Sequence, residues 1–351
     1  MCPFHHDTSP SLSVDDDKSV WHCFSCQKGG GIKALLKLAG LGSDDVPASR
    51  PPPVEKAPYG GDIGRLYAAN EEAARYYHNM LVNSYAGAKA MKYLADRGIS
   101  LKTITDFQVG YSLNSWDCLK HTLGKGYTED ELLAAGLVTM KSDRRGVYDR
   151  FRDRVMFPIM GADGEVMGFG ARSMDSAGVK YTNSLQTPIF NKKSVLYGMH
   201  KAKEMLQVFG TAVIVEGYMD VLTAHQHGFD NVVAPMGTAI TEEQMGMLSE
   251  VADTVILAFD ADQGGESALR RCEYLGRKFS IDMRVALLPA GKDPDDVIRE
   301  DAEGWRDLMR GARLIGQSET WNDLHRAARK LANRSSTRPS GRVRIETTEE
   351  R

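Results

Sequence analysis

Two groups of residues in this 351-residue sequence carry enough chemistry to set a function: a series of carboxylates, and a paired set of cysteines and histidines. Val213-Ile214-Val215 runs straight into Glu216-Gly217, with Asp220 one helical turn later. The apolar stretch Thr254–Phe259 ends in Asp260-Ala261-Asp262, and a third stretch leads to Lys292-Asp293-Pro294-Asp295-Asp296. A lone aspartate after a strand is ordinarily a helix cap, and Asp-Pro is an ordinary turn. Acidic groups repeated at the carboxyl ends of parallel strands are different, because those ends share one edge of the sheet, where ligands bind. Several carboxylates converging there repel one another unless a cation sits among them. Hard oxygen donors suit magnesium or manganese. Ions so held can activate an attacking hydroxyl and stabilise a leaving pyrophosphate.

The second group is Cys2-Pro3-Phe4-His5 followed by Cys23-Phe24-Ser25-Cys26. Each half offers two ligands separated by two residues, so a tight turn can aim both at one ion. Two such turns complete a tetrahedron, and three thiolates with one imidazole suit structural zinc. His6 and His22 are spare and are expected to face solvent or touch phosphate, with either an alternative to His5 as ligand. Phe4, Trp21, Phe24, Lys28 and Lys33 surround the knuckle. Its rings can stack on unpaired bases or form the small core of the ribbon. Cys118 and Cys272 stand alone, and five cysteines in all speak for metal binding plus buried thiols rather than a disulfide framework.

These residues must be positioned by folded elements. Leu66, Ala69, Ala73, Tyr77, Met80 and Leu81 recur at helical spacing, and a second helical stretch, Ala88–Asp96, stops at Arg97-Gly98. Thr128 and Glu131 form a capping box. Arg154–Ile159 and Glu165–Ala171 read as strands joined by a turn at Ala162-Asp163-Gly164. From Thr211 onward short apolar runs alternate with helical patterns, which predicts βαβ units and a mainly parallel sheet. After Pro294 the pattern is helical. The expected divisions are a ribbon over 1–41, a proline-rich linker over 42–62 and a basic mixed α/β subdomain over 63–206. A parallel-sheet subdomain over 207–303, a short helical segment over 304–334 and a disordered tail over 335–351 follow.

Composition bounds the partners. The net charge of −3 argues against a uniformly basic nucleic-acid binder, but Lys and Arg gather between Lys141 and Lys203 while carboxylates gather after Val215. No apolar run approaches the roughly 18 residues that span a bilayer, and no secretory signal is visible. A cytoplasmic protein without membrane contact is expected.

The zinc halves, Val215-Glu216-Gly217-Tyr218-Met219-Asp220, Phe259-Asp260-Ala261-Asp262 and Lys292-Asp293-Pro294-Asp295 together resemble the bacterial-type DNA primases of the DnaG family. The acidic part is similar to the TOPRIM module. Asp149–Ile159, Gly168–Arg172, Lys180–Ser184 and Phe190-Asn191-Lys192 are similar to primases in particular. The resemblance implies an α/β fold: a small N-terminal zinc ribbon, a mixed α/β subdomain, and a TOPRIM, Rossmann-like parallel sheet followed by short helices. It implies Glu216 as the central catalytic acid, with Asp260 and Asp262 also catalytic. Magnesium or manganese would be held by these three with Asp220, Asp293 and Asp295, and structural zinc by Cys2, His5, Cys23 and Cys26. Arg97, Arg172, Lys180, Asn183 and Lys192 would bind nucleic acid or nucleotide. The implied partners are a single-stranded DNA template, ribonucleoside triphosphates and a replicative helicase. The family's C-terminal helicase-binding domain is not in this sequence, and a compact form truncated at both ends, as on a phage, is expected.

Two other readings compete. A TOPRIM nuclease would degrade DNA and ignore ribonucleotides; a topoisomerase of this class needs a large extra domain for its tyrosine. A non-catalytic remnant of a primase would bind single strands and incorporate nothing.

Overall fold

The computed structural model describes residues 12–15, 20–23, 29–31 and 59–315, apart from 144, 176–178, 238–239, 259–265 and 290. Side chains are described within these ranges except over 266–269 and, before 59, for all but Trp21. The chain forms two compact units, residues 1–58 and 59–351. In the first, β1 (Leu12–Asp15), β2 (Val20–Cys23) and β3 (Gly29–Gly31) make an antiparallel sheet in the order β1-β2-β3. Trp21, for which the sequence leaves base stacking or a core role open, is 2% exposed and belongs to the core.

The second unit opens with α1 (Ile63–Val82), whose start is capped by Asp62 accepting from the Gly64 amide at 2.8 Å. Leu66, Ala69, Ala73, Tyr77 and Leu81 are buried, the stripe that the spacing predicts, while Met80 sits at its half-exposed margin. Then come α2 (Ala88–Asp96), α3 (Leu101–Asp106), β4 (Gly110–Ser112), α4 (Cys118–Leu123) and α5 (Glu129–Ala134). The Thr128–Glu131 capping box starts α5. Strands β5 (Val138–Met140) and β6 (Val147–Asp149) pair as a ribbon. Strands β7 (Arg154–Met160), β8 (Val166–Ser173) and β9 (Tyr181–Asn183) join β4 in an antiparallel sheet ordered β4-β7-β8-β9. Gly110 has no side chain to spare: a Cβ there would lie 2.5 Å from the α1 backbone at Tyr77, so helix and strand cross in close contact.

Next, α6 (Met199–Phe209), β10 (Thr211–Ile214), α7 (Tyr218–Gln226), β11 (Val232–Val233), α8 (Glu242–Ser249), β12 (Thr254–Leu257), α9 (Glu266–Phe279) and β13 (Asp282–Val285) alternate. Helices α10 (Pro294–Glu300) and α11 (Ala302–Arg310) follow, and β14 (Arg313–Leu314) ends the described chain. The sheet order is β11-β10-β12-β13-β14, with the first three pairings parallel. Alternation along the strands divides the core: Ala212 and Ile214 pack with α6, α8 and α9, whereas Val213 and Val215 pack with α7, α10 and α11. The second cluster also takes Val155, Phe157 and Ile159 of β7, so the two sheets share one core. The expected helix throughout the segment after Pro294 does not hold, because α11 stops at Gly311 and β14 adds an antiparallel edge to β13. Among the described residues no helix is long and apolar enough to cross a membrane.

Candidate active site

Among the described residues, Glu216, Asp220, Asp293, Asp295 and Asp296 are gathered by the carboxyl edge of the parallel sheet. Strand β10 ends as the Val215 amide donates to Val233, and the chain turns at exposed Glu216 and half-exposed Gly217 into α7. At this start the Gly217 amide donates to Asp220 at 2.9 Å. The other Asp220 oxygen accepts from the Asp295 amide at 3.1 Å, which ties the first acidic segment to the last. Asp293 caps α10 by accepting from the Asp296 amide at 2.8 Å. One carboxylate oxygen each of Asp293, Asp295 and Asp296 lies within 4.8 Å of the others, close enough to share a cation.

Asp220 is 7% exposed, and burial, with Asp293 nearby, pushes its carboxyl up to about 7. A proton held on a buried acid among acids is what a hard cation would displace. The all-oxygen donor set thus fits a divalent metal. Asp295 is 1% exposed and already engaged: Oδ1 accepts from the Thr223 hydroxyl at 2.7 Å, and Oδ2 pairs with Arg97 at 2.7 Å and with Arg299 at 3.7 Å.

The basic residues expected at the site are distributed unevenly around it. Arg97 sits on the acidic rim through Asp295. The Arg172 guanidinium lies over the Tyr93 ring at 3.9 Å, and Arg172 pairs across the sheet with Tyr181. Burial pushes the Tyr181 phenol up to about 12, and Arg172, Arg97 and Asp220 all act on it electrostatically. One wall therefore carries both arginines next to the carboxylates. Lys180 and Lys192 are exposed. Asn183 is turned into packing: its Oδ1 accepts from the Tyr218 hydroxyl at 2.7 Å, and its Nδ2 donates to the Met236 carbonyl at 3.2 Å. Asp260 and Asp262 lie outside the described residues, as do Cys2, His5, Cys26 and the side chain of Cys23.

A second feature was not singled out residue by residue from sequence. A cleft of about 370 Å³ is lined by Arg150, Arg152, Arg154, Asp153, Ser173 and Thr182 among others. Burial holds the Arg150 and Arg154 guanidinium groups below their usual pKa, and the neighbouring arginines add to this. The Arg152 guanidinium stacks over Trp116 at 4.1 Å and over Tyr148 at 5.1 Å, while Trp116 is 63% exposed. Crowded cations beside an open indole suit a phosphate backbone with an unpaired base. The signal in the sequence was the Arg150, Arg152, Arg154 alternation, but Trp116 joins it only through the fold.

The family model "DNA primase catalytic core, N-terminal domain" matches residues 76–203, "Toprim-like" matches 213–298 and "CHC2 zinc finger" matches 1–42. A DNA primase of Clostridium acetobutylicum is 38% identical over 330 residues, covering 90% of this chain and 54% of the relative. One from Deinococcus radiodurans is 39% identical over 330 residues, covering 89% and 55%. The chain thus spans about half the length of these curated relatives. Among solved structures, a DNA primase domain from Pseudomonas aeruginosa superposes with a TM-score of 0.67 at 35% identity, covering 71% of this chain and 79% of that one. A DnaG primase catalytic domain bound to single-stranded DNA gives 0.67 at 32% identity, covering 72% and 80%.

Proposed function

This chain belongs to the DnaG family of bacterial-type DNA primases, and we propose that it synthesises short RNA primers on single-stranded DNA by metal-dependent nucleotidyl transfer. The observation that carries the proposal is the meeting of Asp220, Asp293 and Asp295 at one sheet edge, beside Glu216 and under Arg97. A magnesium or manganese ion bound there would supply Lewis-acid stabilisation of phosphoryl oxygens and make the attacking hydroxyl more acidic. Glu216, Asp220 and Asp293 would hold it with Asp260 and Asp262. Arg97 and Arg172 neutralise the triphosphate of the incoming nucleotide, and Lys180 and Lys192 extend that positive field. The arginine cleft and Trp116 take the template strand. Positioning and charge neutralisation then supply most of the acceleration, as phosphoryl chemistry asks little covalent work of the protein.

Zinc held by Cys2, His5, Cys23 and Cys26 is proposed as a structural ion of the ribbon, with Cys23→Ser expected to release it in a zinc-content measurement. A replicative helicase is proposed as a further partner. One assay tests the activity: labelled ribonucleotides, single-stranded template and magnesium or manganese, scored for product and for template loss. Product without template loss is expected from the wild type and none from Glu216→Gln, which still binds DNA. Template loss without product would instead indicate a nuclease, and binding alone a non-catalytic remnant.

A further inference from the structure

Asp295 belongs by sequence to the acidic rim, yet its surroundings differ from those of its neighbours. Asp293 is exposed and Asp296 half-exposed, whereas Asp295 is 1% exposed. Both of its oxygens are used, Oδ1 by the Thr223 hydroxyl and Oδ2 by Arg97, each at 2.7 Å, with Arg299 at 3.7 Å as a second cation. Two guanidinium groups already neutralise its charge, so it adds little attraction for a metal ion. Its amide, by contrast, donates to the Asp220 carboxylate, while Arg97 donates to Asp295 Oδ2 across 198 residues of sequence. Arg97 keeps a third of its side chain exposed and acts on Tyr181 from the same wall as Arg172.

We infer that Asp295 is a positioning residue that fixes the Arg97 guanidinium beside the carboxylate rim for contact with the nucleotide's phosphates, and is not itself a ligand of the divalent cation. This rests on the primase reading for its substrate, but its geometry and metal chemistry can be tested without primer synthesis. A buried carboxylate that orients a guanidinium leaves the planar fork preorganised, so fewer degrees of freedom are lost when phosphate arrives.

The test uses the full-length chain as wild type, Arg97→Gln, Asp295→Asn, the Arg97→Gln/Asp295→Asn double variant and Asp293→Asn. Mn2+ affinity is read by electron paramagnetic resonance of the free ion. Asp293→Asn is expected to weaken Mn2+ binding about tenfold or more, whereas the double variant, in which the charge change is balanced, stays within about threefold of wild type. Steady-state primer synthesis should show the ribonucleotide KM rising about tenfold in each of the two single variants and no further in the double, with a smaller change in kcat. Loss of fold alone would lower the amount of active enzyme and leave KM in place. Should Asp295→Asn not accumulate as folded protein, Thr223→Val releases one oxygen while keeping the charge. It is expected to raise KM and leave Mn2+ affinity unchanged. The inference is overturned if the double variant loses Mn2+ as Asp293→Asn does, or if the two KM effects multiply. Primer synthesis by the wild type decides the primase reading separately. Thermal unfolding of the metal-free proteins decides the Arg97–Asp295 coupling even where no primer forms: additive changes in stability overturn it.

Discussion

At the scale of single residues, two kinds of charge are held apart by their environments. Asp220 is buried among acids and retains its proton to about 7, which makes it responsive to a cation. The arginines of the cleft are crowded by one another and respond to an anion. Arg152 is the most telling of them because its guanidinium lies over both Trp116 and Tyr148, whose rings pack edge-on at 5.2 Å. Trp116→Ala is expected to weaken binding of a single-stranded oligonucleotide by about 1–3 kcal/mol, the worth of one base stacked on an aromatic ring. Arg152→Ala should weaken binding and also reduce the slope of log affinity against log salt by about 0.7, as one phosphate contact is lost. Fluorescence anisotropy titrations at several salt concentrations check both, and an unchanged slope for Arg152→Ala would remove that residue from the strand's path.

At the scale of elements, sites distant in sequence are joined by caps and close approaches. Asp149, at the end of β6, accepts from the Leu119 and Lys120 amides at 2.8 and 2.9 Å and so caps α4 from outside. Asp149→Ala should lower stability by about 1–3 kcal/mol, since two amides at a helix start lose a buried acceptor; urea unfolding measures it. Gly170 of β8 faces the Tyr218 ring, and a Cβ there would lie 2.2 Å from the phenol carbon. Tyr218 is held flat against Phe157 at 4.8 Å and follows the Glu216-Gly217 turn directly, so it has little room to yield. Gly170→Ala is expected to cost about 1–3 kcal/mol by overpacking and to reduce primer synthesis by disturbing that turn; a variant as stable and active as wild type would contradict the fit.

The reach of sequence reading follows from the same facts. Helix α1, the Thr128–Glu131 box and the alternating β10–β13 region were legible because their signals are local: a stripe, a cap, a succession of short apolar runs. Strand β14 was not, being two exposed residues whose pairing is set by β13. The Asp149 cap, the Arg97–Asp295 pair and the meeting of Trp116 with Arg152 link residues 29 to 198 positions apart or depend on side-chain packing, and no local pattern encodes them. For Glu216, Asp220, Asp293 and Asp295 the residue types and their placement after apolar runs were legible. The division of labour among them was not, because burial and partners decide it.

At the scale of the whole second unit, two sheets share one core, and a histidine packed against it sets an acid limit. His200 lies on α6, half-buried and edge-on to Phe107 at 5.7 Å, with neither ring nitrogen hydrogen-bonded. Burial, with Lys201 and His225 nearby, lowers its pKa to about 4. The unfolded chain therefore binds a proton that the folded chain refuses. The stability His200 contributes is fully present above its ordinary value near 6.5 and is lost as pH falls towards about 4. The loss amounts to up to about 3 kcal/mol. Thermal melts across that window should show His200→Phe less acid-sensitive than wild type; parallel curves would contradict this.

The central claim is that side chains from separate strands meet at one rim to hold a divalent cation. Crystals of the full chain grown with manganese, measured at a wavelength where manganese scatters anomalously, test it most directly. The account predicts an anomalous peak within coordination distance of Glu216 and of at least one of Asp220 and Asp293. A peak confined to other surfaces, or a manganese-saturated crystal with no peak at this edge, would contradict it.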